Sequence, residues 1–318
     1  MKSVLFSVMN RILMILTSHR LDCFKLCMDL LIGNRSIFNF DRVVLMLNGV
    51  TGRHLNYVES LLRKHPQIPW DTIAGPRGKG RLVANLQNEC IRRYPNSLYF
   101  KIDEDVFVPP GWEDRMIRAY EDHRSDSSVA MLTPVIPNNA MGFHYLLNQY
   151  PQLADEYATQ FSYPLTNDCT GPVWQYPKLA NWITRHFLVL SEANIRLQAV
   201  SKNPFPRFAQ RFSINCLVYD YHHWQELGGI PDEEEPAWTQ WIADHGKEVV
   251  LVTNTLLHHY SFFVQQDWLD RTPLLEDIRI ANAPQSLSSR TFTGYHLPRM
   301  VRFLNQMPRV LKQRISKR

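Results

Sequence analysis

The chain has 318 residues, 45% of them hydrophobic and 20% charged, which excludes a disordered or low-complexity protein and supplies ample material for a core. Its 35 basic and 30 acidic residues give a formal charge of +5, but the excess is local. Seven basic and no acidic residues lie from Arg299 to Arg318, leaving 28 basic against 30 acidic residues in the body. Such a body is not the uniformly basic surface of a nucleic-acid binder, and no nucleic-acid partner is expected.

The apolar start is interrupted by Asn10 and Arg11 and does not reach the roughly 18 residues of a spanning helix. Ile12–Leu16 predicts a strand buried on both faces. Leu21, Phe24, Cys27, Met28 and Leu31 fall at helical spacing, and Gly33 stops that helix. Arg42–Leu47 predicts a second strand, ended by Asn48-Gly49, and Tyr57, Leu61 and Leu62 mark a second helix. A short strand at Asp71–Ile73 precedes the loop Gly75–Gly80, a helix over Arg81–Arg93 and a fourth strand at Leu98–Ile102. Repeated strand–helix units of about 30 residues predict a parallel sheet with helices on both faces and ligands at the carboxyl ends of its strands.

Asn138–Pro206 is rich in Tyr, Trp, Pro and Asn and shows no clean period. Phe212–Tyr219 predicts a further strand, Trp238–His245 a helix and Val249–Val252 a strand. The five cysteines (Cys23, Cys27, Cys90, Cys169, Cys216) form no CxxC pair, which predicts buried thiols in a reducing cytoplasm rather than disulfides or a zinc site.

Chemistry concentrates in four places. Asp103-Glu104-Asp105 follows a buried strand directly, and carboxylates at a strand end suit a hard divalent cation that shares its shell with phosphate oxygens. The loop Gly75–Gly80 carries Arg77 and Lys79 and opens a helix, a setting in which backbone amides approach an anion. Asp232–Glu235 offers a carboxylate for general-base work, against the plainer reading of a solvated acidic helix start. His258-His259 ends a strand, so the two rings face opposite sides and one of them can be a metal ligand.

In this order, the opening strand running into Thr17-Ser18-His19-Arg20, the strand ending at Asn48-Gly49, Arg77–Asn85, Lys101–Asp105, Gly228–Glu235 and His258–Ser261 resemble the nucleotide-sugar glycosyltransferases of the GT-A fold, closest to glycosyltransferase family 2. The resemblance covers residues 10–135 and 212–265. It implies an α/β, Rossmann-like, mostly parallel sheet flanked by helices, with an irregular acceptor region and a basic amphipathic tail. Residues 10–137 would form the donor-binding half, 138–265 the acceptor and catalytic half, and 266–318 an extension.

It further implies Mn2+ or Mg2+ held by Asp105 with His259. Thr17, Ser18, Arg20, Asn48, Arg77, Lys79, Asn85, Asp103 and Glu104 would stand around a nucleotide-sugar donor. Glu235, then Glu234, would be the base of an inverting transfer to a glycan or lipid-linked acceptor, with Glu233 also open. Trp174, Tyr176 and Trp182 are expected near that acceptor. A nucleotidyltransferase and a catalytically inert binding protein are the alternatives. The tail interleaves its charges with Met300, Val301, Phe303, Leu304, Met307, Val310, Leu311 and Ile315, the pattern of a helix lying on an anionic membrane surface. A cytoplasmic protein, peripheral on the inner membrane face, is expected, against the plainer reading of a terminal helix docked on the body with its charges solvated.

Overall fold

The computed structural model describes residues 9–164 and 171–283. Ten strands occur among them: β1 (Asn10–Thr17), β2 (Arg42–Asn48), β3 (Trp70–Gly75), β4 (Ser97–Asp103), β5 (Val106–Phe107), β6 (Val129–Val135), β7 (Arg207–Phe208), β8 (Cys216–Asp220), β9 (Glu248–Leu256) and β10 (His258–His259). Eight of them make one sheet in the order β3-β2-β1-β4-β8-β6-β9-β7, and β10 pairs with β5 apart from it. β1 to β4 are parallel, and β6 is parallel to β9. β8 runs antiparallel to both of its neighbours, and β7 runs antiparallel to β9. The fold is α/β, with a mixed, mostly parallel sheet flanked by helices.

The burial of β1 explains its sequence. Ile12–Ile15 are at most 1% exposed, since strands flank them on both sides and helices cover both faces. The helix Leu21–Gly33 buries Phe24, Cys27, Met28 and Leu31 as its spacing predicts. On the far side of β4, Phe40 and Trp112 pack edge-on against Phe100 at 5.0 and 5.8 Å between ring centroids. Cys23, Cys27, Cys90 and Cys216 are buried free thiols, and burial pushes all four above the ordinary thiol range, so they serve as core.

Two expectations are corrected. The segment read as irregular is helical: Ala140–Gln149, Pro151–Gln160, Pro172–Gln175, Pro177–His186 and Leu190–Val200. Pro151, Pro172 and Pro177 stand at helix starts, where a missing N–H costs nothing, so prolines that read as loop are start signals. The strand expected at Phe212–Tyr219 begins only at Cys216 and is reversed relative to its neighbours.

The first compact unit runs to Asn282. It takes in the helices Phe263–Leu269 and Leu274–Asn282, which bury Leu269, Leu274 and Ile278 in the core. The basic stretch 299–318 lies outside the described residues. Among the described residues no helix is long and apolar enough to cross a membrane.

Candidate active site

The parallel register brings the strand ends level. Thr17 pairs with Leu47, Leu16 with Asp103, and Asn48 with Gly75, so residues 17–20, 48–49, 75–80 and 103–105 share one edge of the sheet. β8 enters from that same edge because it is reversed. The Asp103 N–H therefore donates to the Asn215 carbonyl at 3.1 Å. Past Asp103 the chain leaves the main sheet, and β5 pairs with β10, setting His259 opposite Val106.

This small sheet creates the pair at the centre of the site. His259 Nε2 lies 3.4 Å from Asp105 Oδ1, and both side chains are buried. Burial alone would raise the Asp105 carboxyl, but His259, with Arg20 adding to it, outweighs that and holds it below the ordinary range. Asn215 ties the cluster together: its Nδ2 donates to Asp103 Oδ2 at 3.2 Å and to His259 Nε2 at 3.0 Å. With a proton on Nε2, His259 pairs with the Asp105 carboxylate; without it, Nε2 accepts from Asn215 and leaves beside that carboxylate two electron-pair donors that a divalent cation could bridge. His258 points the other way and donates from Nε2 to the Phe187 carbonyl. Its burial lowers it to about 4, so it is a neutral packing residue.

Among the described residues no group of three or more His, Cys, Asp or Glu side chains is arranged to hold a metal ion by itself. Asp105 and His259 could supply two ligands, a number that suits a cation taking its remaining ligands from phosphate and water. Asp103 stands beside them with its other oxygen accepting from Lys101 Nζ at 2.6 Å.

Glu104, expected at the donor, is turned into the scaffold. It accepts from Thr17 Oγ1 (2.6 Å) and from the backbone N–H groups of Ser18 (3.0 Å), His19 (3.1 Å) and Arg20 (3.0 Å), the loop that opens the helix Leu21–Gly33. Adjacent residues at a strand end point to opposite sides, and here Asp103 and Asp105 go one way and Glu104 the other. Thr17 is fully buried in the same network, its Oγ1 2.9 Å from His54 Nε2. Glu104→Gln keeps one acceptor oxygen for four donors, and should cost about 2–4 kcal/mol of stability in urea unfolding. Stability unchanged within experimental error would show that the carboxylate does not hold the loop.

The basic loop is stapled to the end of β2. Asn48 pairs by its amide with both the N–H and the carbonyl of Gly78, each at 2.9 Å. Gly49 takes a left-handed φ of +67°, and a Cβ there would fall 2.2 Å from Arg77 Cβ, so only glycine fits. Arg77 and Lys79 are exposed, Lys79 lying 4.3 Å from the centre of the Phe263 ring. Ser18 is half-buried and donates from Oγ to the Asn48 carbonyl. Arg20 is engaged by Ser261 at 3.0 Å and Asp270 at 2.8 Å. Asn85 is exposed on its helix.

The neighbours of Asn85 do the joining that the sequence did not reveal. Asn88 accepts from Trp224 Nε1 and Ile230 N, both at 2.8 Å, and so fixes the Gly228-Gly229 turn. Gln87 donates to Glu234.

Glu234 and Glu235 open the helix Glu234–Asp244, where acidic residues favour the helix dipole. Burial raises Glu234 to about 7, with Lys101 opposing that rise and Asp103 adding to it. Glu235 is also raised by burial, but Arg211 Nε pairs with it at 2.8 Å and works against the rise. Glu233 is exposed just before the helix. The Arg211 guanidinium lies 4.9 Å over Trp174, whose ring packs at 5.3 Å on Phe262, and Phe262 packs at 4.6 Å on His259. Trp174 thus joins the wall linking the acidic pair to the histidine. Tyr176 stacks on Tyr163 at 3.8 Å, and Trp182 packs on Phe161 at 5.3 Å, within the helical segment.

No family model matches the sequence, and no curated protein is similar to it in sequence. Among solved structures, the chain is similar to the mannosyltransferase PcManGT from Pyrobaculum calidifontis in complex with GDP-Man and Mn2+. That match covers 91% of this chain and 76% of the other, at 14% identity and a TM-score of 0.48. It is also similar to GalNAc-T7 with UDP, GalNAc and Mn2+, over 86% of this chain at 10% identity and a TM-score of 0.49, and it spans 48% of that chain's length. A shorter match, over 40% of this chain and 34% of the other, links it to S. aureus TarS in complex with UDP-GlcNAc, at 14% identity and a TM-score of 0.31. At these identities no residue's role passes from one chain to another.

Proposed function

We propose that the protein is a metal-dependent glycosyltransferase that moves a sugar from a nucleotide-sugar donor to a hydroxyl of a glycan or lipid-linked acceptor, with inversion. The observation that supports this best is the meeting of Asp103, Asp105, Asn215 and His259, from three separate segments, at the strand ends where sheets of this kind bind ligands. In this reading Asp105 and His259 hold Mn2+ or Mg2+, whose charge offsets that gathering on the departing nucleoside diphosphate. Asp103, fixed at both oxygens, faces the ribose. Arg77 and Lys79 add positive charge towards the diphosphate from their exposed loop.

Glu234 takes the proton of the acceptor hydroxyl. Its ionisation near neutrality suits a general base, whereas Glu235 is committed to Arg211. This reverses the order of preference that the sequence suggests for the two. Trp174 borders the acceptor side. The stretch 299–318, by its composition, attaches the protein to an anionic membrane near such an acceptor. The reading is tested by release of nucleoside diphosphate from UDP-, GDP-, dTDP- or CMP-sugars in Mn2+. Turnover of at least one donor that stops in EDTA supports it, and no turnover of any donor, with or without acceptor, overturns it.

A further inference from the structure

Lys101 is the most deeply buried charged side chain beside the site, at 1% exposure. A lysine at a strand position that a leucine or methionine could fill carries a large desolvation cost unless its charge is used. Its ammonium donates to Asp103 Oδ1 and to the Ile214 carbonyl, both at 2.6 Å.

The pleat of β4 puts Tyr99, Lys101 and Asp103 on one face. Tyr99 packs against Tyr219 at 5.8 Å, and Tyr219 against Trp238 at 5.2 Å. Glu234 lies one helical turn before Trp238 on the same helix and accepts from Gln87. The groups that act on Glu234 electrostatically are Lys101 and Asp103 from β4, Tyr219 from β8 and its own neighbour Glu235, which Arg211 pairs, while Gln87 from the helix Arg81–Arg93 donates to it directly. Lys101 is a cation common to Asp103, Glu234 and Glu235, and it is too buried to touch a substrate.

We propose that Lys101 is a positioning residue: its buried ammonium fixes Asp103 and serves as the counter-charge that lets Glu234 ionise beside two other carboxylates. The link to catalysis rests on Glu234 being the base, but the electrostatic role does not. The competing account is that Lys101 only packs, in which case removing its charge would leave Glu234 alone.

The test is a carboxyl-carbon NMR titration of the full chain, without donor or metal, with the Glu234 signal assigned by its loss in Glu234→Gln. Lys101→Met should move the Glu234 midpoint up by about one pH unit. Lys101→Gln, which keeps hydrogen-bond donors for Asp103 and Ile214 but no charge, should do the same and serves if Lys101→Met does not fold. An unmoved midpoint in a folded charge-free variant overturns the proposal. Where a donor is turned over, the acid limb of kcat/KM should shift by the same amount. A protein that shows the NMR shift but turns over no donor would sink the transferase reading and leave the counter-charge role standing.

Discussion

Asp105→Ala is expected to abolish metal-dependent donor binding and to lower kcat/KM about 1,000-fold, the scale of removing one preorganised electrostatic group from a site that stabilises a departing anion. Asp105 is the only carboxylate within ion-pair distance of His259 among the described residues. Its backbone carbonyl, which accepts from Tyr260 N at 2.9 Å, is kept by the substitution, so the β5–β10 pairing survives. Calorimetric titration with Mn2+ and donor separates loss of the site from loss of the fold. A folded Asp105→Ala protein that retained Mn2+-dependent turnover would place the cation elsewhere.

The second large effect is expected at Glu234. Glu234→Gln should reduce kcat by about 100- to 10,000-fold, the usual contribution of a general base, with little change in donor KM. Glu235→Gln should cost about tenfold or less, through the freed Arg211. Because Glu234 must be ionised to act and is raised to about 7, the rate should climb with pH through about 7. Stability should move in the opposite sense. Relative to the ordinary 4.5, the folded chain holds this proton more tightly, so the contribution is fully present below about pH 4.5 and is lost as pH rises through about 7. Glu234→Gln, which mimics the protonated form, should flatten that loss in urea unfolding. Equal loss of kcat in both variants, with no acid limb near 7, would assign the proton transfer to another group.

Much of this site is legible in the sequence because its parts sit at the ends of buried aliphatic runs. Ile12–Leu16, Arg42–Leu47 and Leu98–Ile102 read directly as strands, and the residues that follow them do share one edge. The opposite orientation of His258 and His259 follows from the two-residue period of a strand. The rest depends on relations between distant segments. Strand direction leaves no mark in a run such as Cys216–Asp220, so neither the reversal of β8 nor the arrival of Asn215 beside Asp103 shows in the sequence. Glu104 shares its chemistry with its neighbours, and only the fold shows that it faces the 17–20 loop. Lys101 reads as a charge interrupting a strand until its partners are seen. The choice between Glu234 and Glu235 turns on Arg211, 24 residues away along the chain.

The proposed function turns on Asp105 and His259 binding a divalent cation together with a nucleotide-sugar diphosphate. The direct measurement is thermal unfolding of the full chain with each nucleotide sugar, in Mn2+ and in EDTA. Binding at 100 times Kd stabilises the folded state by about 2.7 kcal/mol, enough to raise the midpoint by several degrees. At least one donor should do so in Mn2+ and not in EDTA, and the effect should vanish in Asp105→Ala. Donor-induced stabilisation that is the same in EDTA, or no stabilisation by any donor, would contradict the claim.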